Sequence, residues 1–170
     1  MEAALLPIAL APKFVKAGLA GKGEGLARRA ALLAEAGAQA VAIAADVDEL
    51  PDIHVLFVAG LDARQSARLA MRARAQGVLV NVEDVPSLCD FHVPAIVRRG
   101  DLLLTVSTGG RSPGLARLIR QWLERSLGLE WGGRLCELSG AREAWRKQGA
   151  LPVHVAERTV RYVEERSWLP

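Results

Sequence analysis

A glycine-rich stretch, Gly21-Lys22-Gly23-Glu24-Gly25, stands between a short strand-like segment and an amphipathic helix, and it constrains the fold more than any other feature. The order strand, glycine turn, helix, strand defines a βαβ unit, whose strands lie parallel. Beyond the turn, Leu26, Ala30, Leu33 and Ala34 share one helical face, Arg28, Arg29 and Glu35 lie elsewhere, and Gly37 fits the position just past the helix end. Val41-Ala42-Ile43-Ala44 reads as a second strand, expected to be buried because it carries no polar alternation. The apolar run Val55 to Val58 gives a third strand, and Asp62 caps an Ala/Arg-rich helix that stops at Gly77. Val78 to Val82 is a fourth strand and Leu102 to Val106 a fifth. Strands alternating with helices predict an α/β fold, a Rossmann-like, doubly wound and mostly parallel sheet.

The remaining third reads as helical. Ser112 can cap a helix that opens with Pro113, where the fixed φ of proline fits. Leu115, Leu118, Ile119, Trp122 and Leu123 recur at helical spacing along it, and Gly128 follows as its end. Later segments carry Trp131, Leu135, Leu138 and Trp145, then Val155, Val160, Tyr162 and Val163. That is more apolar surface than a small domain covers alone, so a homodimer is expected. The boundary is drawn near Gly109-Gly110, with residues 1–108 a nucleotide-binding domain and 109–170 a helical region for dimerisation and substrate contact.

At 170 residues, the chain suits one domain plus an extension. Its net charge of +3 and pI near 9.2 suit an anionic ligand. No run of five like charges occurs and aromatic residues make up only 5%, which argues against nucleic acid. Cys89 and Cys136 are far apart and outside any metal-ligand spacing, so they read as free thiols of a reducing compartment. His54, His92 and His154 are scattered, and no metal site is expected. The apolar start from Met1 to Leu10 holds Glu2 and Pro7 without a basic run, and no eighteen-residue apolar stretch exists. The expectation is a cytoplasmic protein with no membrane segment.

Three clusters can carry chemistry. Gly21-x-Gly23 lets backbone N–H groups approach a pyrophosphate at a helix start, although Leu26 stands where a third small residue would normally be. Asp46 closes the second strand at the distance suited to an adenosine ribose, which favours NAD over NADP; a plain glycine turn and a loop aspartate are the alternatives. The second cluster, Asn81-Val82-Glu83-Asp84-Val85-Pro86, ends a buried strand, where open α/β sheets place ligands. Neighbours on an extended strand point to opposite faces, so only one of Glu83 and Asp84 should face the site as a general base; the alternative is a turn-forming aspartate. The third is the loop Ser107-Thr108-Gly109-Gly110-Arg111-Ser112-Pro113. Its amides, hydroxyls and Arg111 could seat a carboxylate or phosphate, or Ser112 could merely cap a helix while Arg111 is solvated.

Taken together, the clusters resemble one family. Leu6-Pro7-Ile8-Ala9-Leu10 resembles the opening segment of sirohaem synthase N-terminal domains, and Gly21 to Ala38 is similar to their GGGxVAxRKxxxLLxxGA stretch. The run from Gly77 to Arg99, GVLVNVEDVPSLCDFHVPAIVRR, looks like the family's GxxVNVxDxPxxxxFxxPAxxxR, and STGGRSPGLARLIR looks like STGGxSPxLAxxLR. The chain thus resembles the precorrin-2 dehydrogenase and sirohydrochlorin ferrochelatase family up to about Leu127. That resemblance implies NAD-dependent oxidation of precorrin-2 to sirohydrochlorin, with insertion of ferrous iron as a second activity in some members. It implies Asp84 as the catalytic residue and Glu24, Gly25, Ala45 and Asp46, beside Gly21 and Gly23, as NAD contacts. Asn81, Thr108, Gly109, Gly110, Arg111 and Ser112 fall on the substrate side, and Ser112 matches a position that members can carry phosphorylated. Departures are Lys22 for the middle glycine, Gly25 and Leu26 for the Val and Ala, His92 at an apolar position, and a short stretch from Asp46 to Val55 that lacks a helix or strand. Two rival readings follow from the eroded glycine turn: a chelatase without redox function, and a non-catalytic binder of tetrapyrrole or nucleotide.

Overall fold

The computed structural model describes residues 5–169, so the first four residues of the apolar start lie outside the described residues. The chain divides into two compact units, Met1–Val93 and Pro94–Pro170, ahead of the boundary expected near Gly109.

The first unit is a four-stranded parallel sheet of order β2-β1-β3-β4, built from β1 (Lys16–Gly21), β2 (Gln39–Ile43), β3 (Val55–Ala59) and β4 (Leu79–Val82). Helix α1 (Gly23–Glu35) joins β1 to β2, and α2 (Ala63–Ala75) joins β3 to β4. Alternation along the central strand β3 sorts the core into two faces. Leu56 and Val58 pack with Leu69, Ala70 and Ala73 of α2, whereas Val55 and Phe57 pack with Leu33 of α1 and with Phe91, the two Phe rings edge to face at 5.3 Å. The helices therefore cover opposite faces, the doubly wound arrangement expected. Asp62 caps α2 with a reciprocal box, its Oδ1 accepting from the Gln65 amide at 2.8 Å.

Two expectations are corrected. The second strand is not buried: β2 is an edge strand, and Val41 is 46% exposed. The reason is topological, since the connection from Ile43 to Val55 adds no strand beyond β2. Instead it lays Leu50 and Ile53 directly on the sheet, both in the core. Gly18 makes room for this, because a Cβ there would stand 2.7 Å from Ile53 Cδ1. The weak strand former at that position is thus the consequence of a loop packing where a helix would otherwise lie.

The fifth strand is also not part of the parallel sheet. It is β6 (Leu102–Val106), paired antiparallel with β5 (Ala95–Arg99) through a tight turn at Gly100 (φ +59°) and Asp101. The outer edge of β4 is met instead by an irregular segment: the Asp90 amide donates to Val80 O at 2.8 Å, and Asp90 Oδ2 accepts from the Val80 amide at 3.0 Å.

In the second unit the hairpin packs on α3 (Pro113–Ser126), followed by α4 (Glu130–Lys147) and α5 (Pro152–Glu165). Ser112 caps α3 as expected, accepting from the Leu115 amide at 3.3 Å. The far end of α3 is closed by Arg99 of β5, whose Nε donates to Leu127 O at 2.8 Å and Nη2 to Glu124 O at 3.0 Å. Helices α4 and α5 run antiparallel, joined by the edge-to-face contact of Trp145 with Tyr162, and Trp168, just past α5, meets Trp131 of α4 in the same way.

Candidate functional site

The carboxyl ends of the parallel strands converge where the winding reverses, between β1 and β3. These strand ends touch backbone to backbone: the Lys22 amide donates to Ala59 O at 3.0 Å, and a Cβ on Gly21 (φ +122°) would meet that same oxygen at 1.8 Å. Gly60 answers from the other side, where a Cβ would stand 2.2 Å from Lys22 O. Sequence reading missed Gly60, although a lone glycine between an apolar run and a helix cap was its signal. Next to this contact, space is open around Gly23, and the N-cap residue Lys22 gives α1 no side-chain cap bond. A helix start whose first amides lack a capping side chain fits an anionic diphosphate. Ala45 and Asp46 follow β2 at the same sheet edge; Ala45 O accepts from Arg68 Nη2 at 3.4 Å, and Asp46 is exposed.

The β4 end departs from the extended alternation expected for Glu83 and Asp84. The strand stops at Val82 and both acids lie in a turn closed by Val85 N to Val82 O at 3.3 Å, while Glu83 N still donates to Val58 O of β3 at 2.9 Å. Asp84 adopts a left-handed conformation (φ +60°) and is exposed. For a residue with a Cβ this costs about 1 kcal/mol, a strain that tends to collect at functional positions. Glu83 turns inward instead, with its carboxylate 3.2 Å from Arg28 Nη2 and against the backbone of Gly25. The pairing of Glu83 with Arg28 was not foreseen from sequence, since their meeting depends on the long-range register of β4 and α1. Asn81 is 6% exposed, and its Nδ2 donates to Phe91 O at 2.9 Å, so it ties the segment after the turn to β4.

The third cluster lies in the second unit, between β6 and α3. Its hydroxyls shape the loop: Ser107 Oγ accepts from the Gly109 amide at 3.2 Å and Thr108 Oγ1 from the Ser112 amide at 3.1 Å. Gly109 and Gly110 are both left-handed, with Arg111 exposed after them. Among the described residues, no group of three or more His, Cys, Asp or Glu is placed to hold a metal ion, and no helix is long and apolar enough to cross a membrane.

A parallel sheet wound both ways, with a glycine turn at the reversal, defines a Rossmann-like α/β domain, the class of sheet that takes its ligands at the carboxyl ends of the strands. Two family models match the chain, "Putative NAD(P)-binding" over residues 45–95 and "Sirohaem biosynthesis protein central" over residues 99–126. The siroheme synthase of Methylococcus capsulatus is 35% identical over 175 residues, covering 90% of this chain and 36% of that protein. The siroheme synthase of Thiobacillus denitrificans is 35% identical over 154 residues, covering 78% of this chain and 32% of that protein. A solved structure of SirC, precorrin-2 dehydrogenase, superposes with a TM-score of 0.72 at 18% identity, covering 94% of this chain and 89% of that one, a likeness of fold. The chain is a homologue of the siroheme synthases over most of its own length, and it spans about a third of the length of the curated relatives it matches.

Proposed function

We propose that the chain acts in sirohaem biosynthesis as an NAD-dependent dehydrogenase that oxidises precorrin-2 to sirohydrochlorin. The observation that carries this reading is Asp84, held in a left-handed turn at the carboxyl edge of the sheet that also carries the glycine turn, where space is open around Gly23. Gly21, Gly23, Glu24 and Gly25 would lie along the diphosphate, and Ala45 and Asp46 along the adenosine ribose, where a carboxylate favours NAD over its 2′-phosphorylated form. When bound, the nicotinamide ring supplies a hydride acceptor.

The macrocycle loses one hydride and one proton, and Asp84 takes the proton. Its exposure leaves it reachable by a bulky planar substrate, while the turn fixes its direction. The substrate's acetate and propionate groups suit the amides and Arg111 of the Thr108, Gly109, Gly110, Arg111 and Ser112 loop. Asn81 contributes by positioning. The two free thiols, Cys89 and Cys136, fit a cytoplasmic setting, and a homodimer is the proposed assembly.

One observation favours a second reading, insertion of ferrous iron as substrate without redox chemistry: the Glu83 carboxylate already rests against the glycine turn. Anaerobic turnover of precorrin-2 with NAD, followed as sirohydrochlorin absorbance, separates the two. The dehydrogenase predicts NAD-dependent turnover in the native protein that Asp84→Asn lowers at least a hundredfold with the fold retained, since asparagine tolerates the left-handed turn. A native protein inert with NAD that nonetheless metallates sirohydrochlorin overturns it in favour of the chelatase.

A further inference from the structure

Glu83 stands in the crevice that the cofactor reading assigns to a diphosphate. A Cβ at residue 25 would lie 1.7 Å from Glu83 Oε2 and 2.9 Å from Oε1, so the carboxylate rests against the first turn of α1 with Oε2 foremost. Only 20% of the side chain is exposed, and Arg28, on the same helix, holds it at 3.2 Å. Arg28 is also 3.6 Å from Glu24, so it sits between two acids. A helix start carries partial positive charge, which stabilises this carboxylate as it would a phosphate. Both anions cannot share that turn.

Gly25 is what admits the inward position, since any side chain there would collide with the carboxylate. In the stretch that this segment resembles, a valine stands at this place. The exchange of a branched residue for glycine and the inward reach of an acid from β4 are thus two halves of one local arrangement, and Arg28 completes it.

We propose that Glu83 sets the dinucleotide affinity of this chain, as an internal anion that a diphosphate must displace from the first turn of α1. Glu83 then swings out, and Arg28 is released to pair with the incoming phosphate. The inference rests on reading Gly21 to Gly25 as the cofactor turn. Its selectivity is directional: ligands with a diphosphate are weakened by Glu83, whereas adenosine, which has none, is not.

The test is calorimetric titration of NAD, and separately of adenosine, into the full chain and into Glu83→Gln and Gly25→Ala, with thermal melts to confirm folding. Glu83→Gln keeps the shape and removes the charge; Gly25→Ala evicts the side chain. Both should tighten NAD about tenfold, the size expected of one partly screened like-charge contact, and leave adenosine unchanged. Equal NAD affinity in all three proteins, or weaker binding in the variants, overturns the role of Glu83 while leaving the cofactor reading intact. Absence of NAD binding in all three at millimolar concentration overturns the cofactor reading, and this inference with it.

Discussion

The Cys89 sulfur stands 3.3 Å from the Val82 amide nitrogen and 3.1 Å from the Val82 carbonyl oxygen, so one thiol brackets both backbone groups of the last residue of β4. Val85 O lies 3.4 Å from the same sulfur, on the far side of Asp84. The thiol therefore clasps both ends of the turn that carries the proposed base. Together with Asp90 on Val80, it gives the outer edge of β4 the partners that a fifth parallel strand would have supplied.

Removal of this clasp should loosen the turn more than the sheet. Cys89→Ala leaves the buried Val82 amide without its acceptor, a loss of about 1–2 kcal/mol that a urea midpoint reads directly. Because Asp84 would wander rather than disappear, kcat should fall several-fold with KM little changed. A variant as stable and as active as the native protein would mean that the thiol only fills space.

One short contact in the second unit shifts two titrating groups, Glu137 and Tyr162. The Tyr162 hydroxyl donates to Glu137 Oε1 at 2.6 Å, Arg166 Nε is 3.3 Å from the same oxygen, and the Arg166 guanidinium lies over the Tyr162 ring at 3.5 Å. The hydrogen bond from Tyr162, helped by Arg166, holds the Glu137 carboxyl below its ordinary range, while the bond to Glu137 raises the phenol above its own. A depressed acid adds stability above its unfolded value, lost as pH falls through the folded one. A raised phenol adds stability below its unfolded value, lost as pH rises through the folded one. The contact should thus contribute fully from about pH 5 to about pH 9. Thermal midpoints of the native protein and Tyr162→Phe, compared across pH, should differ most on that plateau and converge at both ends. A gap that stays constant with pH would assign the effect to ring packing.

Local signals carried much of this fold. The glycine turn, the caps at Asp62 and Ser112, and the apolar runs of β3 and β4 each follow from short-range chemistry, and the structure reproduces them. What failed depended on partners distant in sequence. Val41 reads as buried because its neighbours are apolar, but only strand order tells that β2 has a single neighbour. The turn at Gly100-Asp101 was a legible hairpin signal, but Pro94 and the paired Arg98 and Arg99 dilute the apolar pattern of β5 before it. At the site, Asp84 was legible as an acid at a strand end, while its left-handed backbone and the inward reach of Glu83 arise from a strand that stops at Val82.

Helix α3 yields the last prediction. Its sequence stripe of Leu115, Leu118, Ile119, Trp122 and Leu123 reads as an apolar face, and most of it lies open, with Leu118 64% and Trp122 59% exposed. The helix meets its hairpin through a different face, with Ala116 buried and Leu123 half-buried, so the other four side chains of the stripe point outward. Four large apolar side chains at i, i+3, i+4 and i+7 on an exposed helix face mark an association surface. A second copy is the simplest occupant, because a two-fold axis lets one such stripe meet itself. Light scattering behind size exclusion should then give twice the chain mass for the native protein, and Leu118→Glu with Trp122→Glu should give the monomer. The loss should exceed a hundredfold in dimer affinity, since each copy places two charges in the apolar centre of the contact. The double variant should keep its helical circular dichroism, because both side chains are mostly exposed; a native protein that is monomeric at high micromolar concentration would remove the dimer altogether.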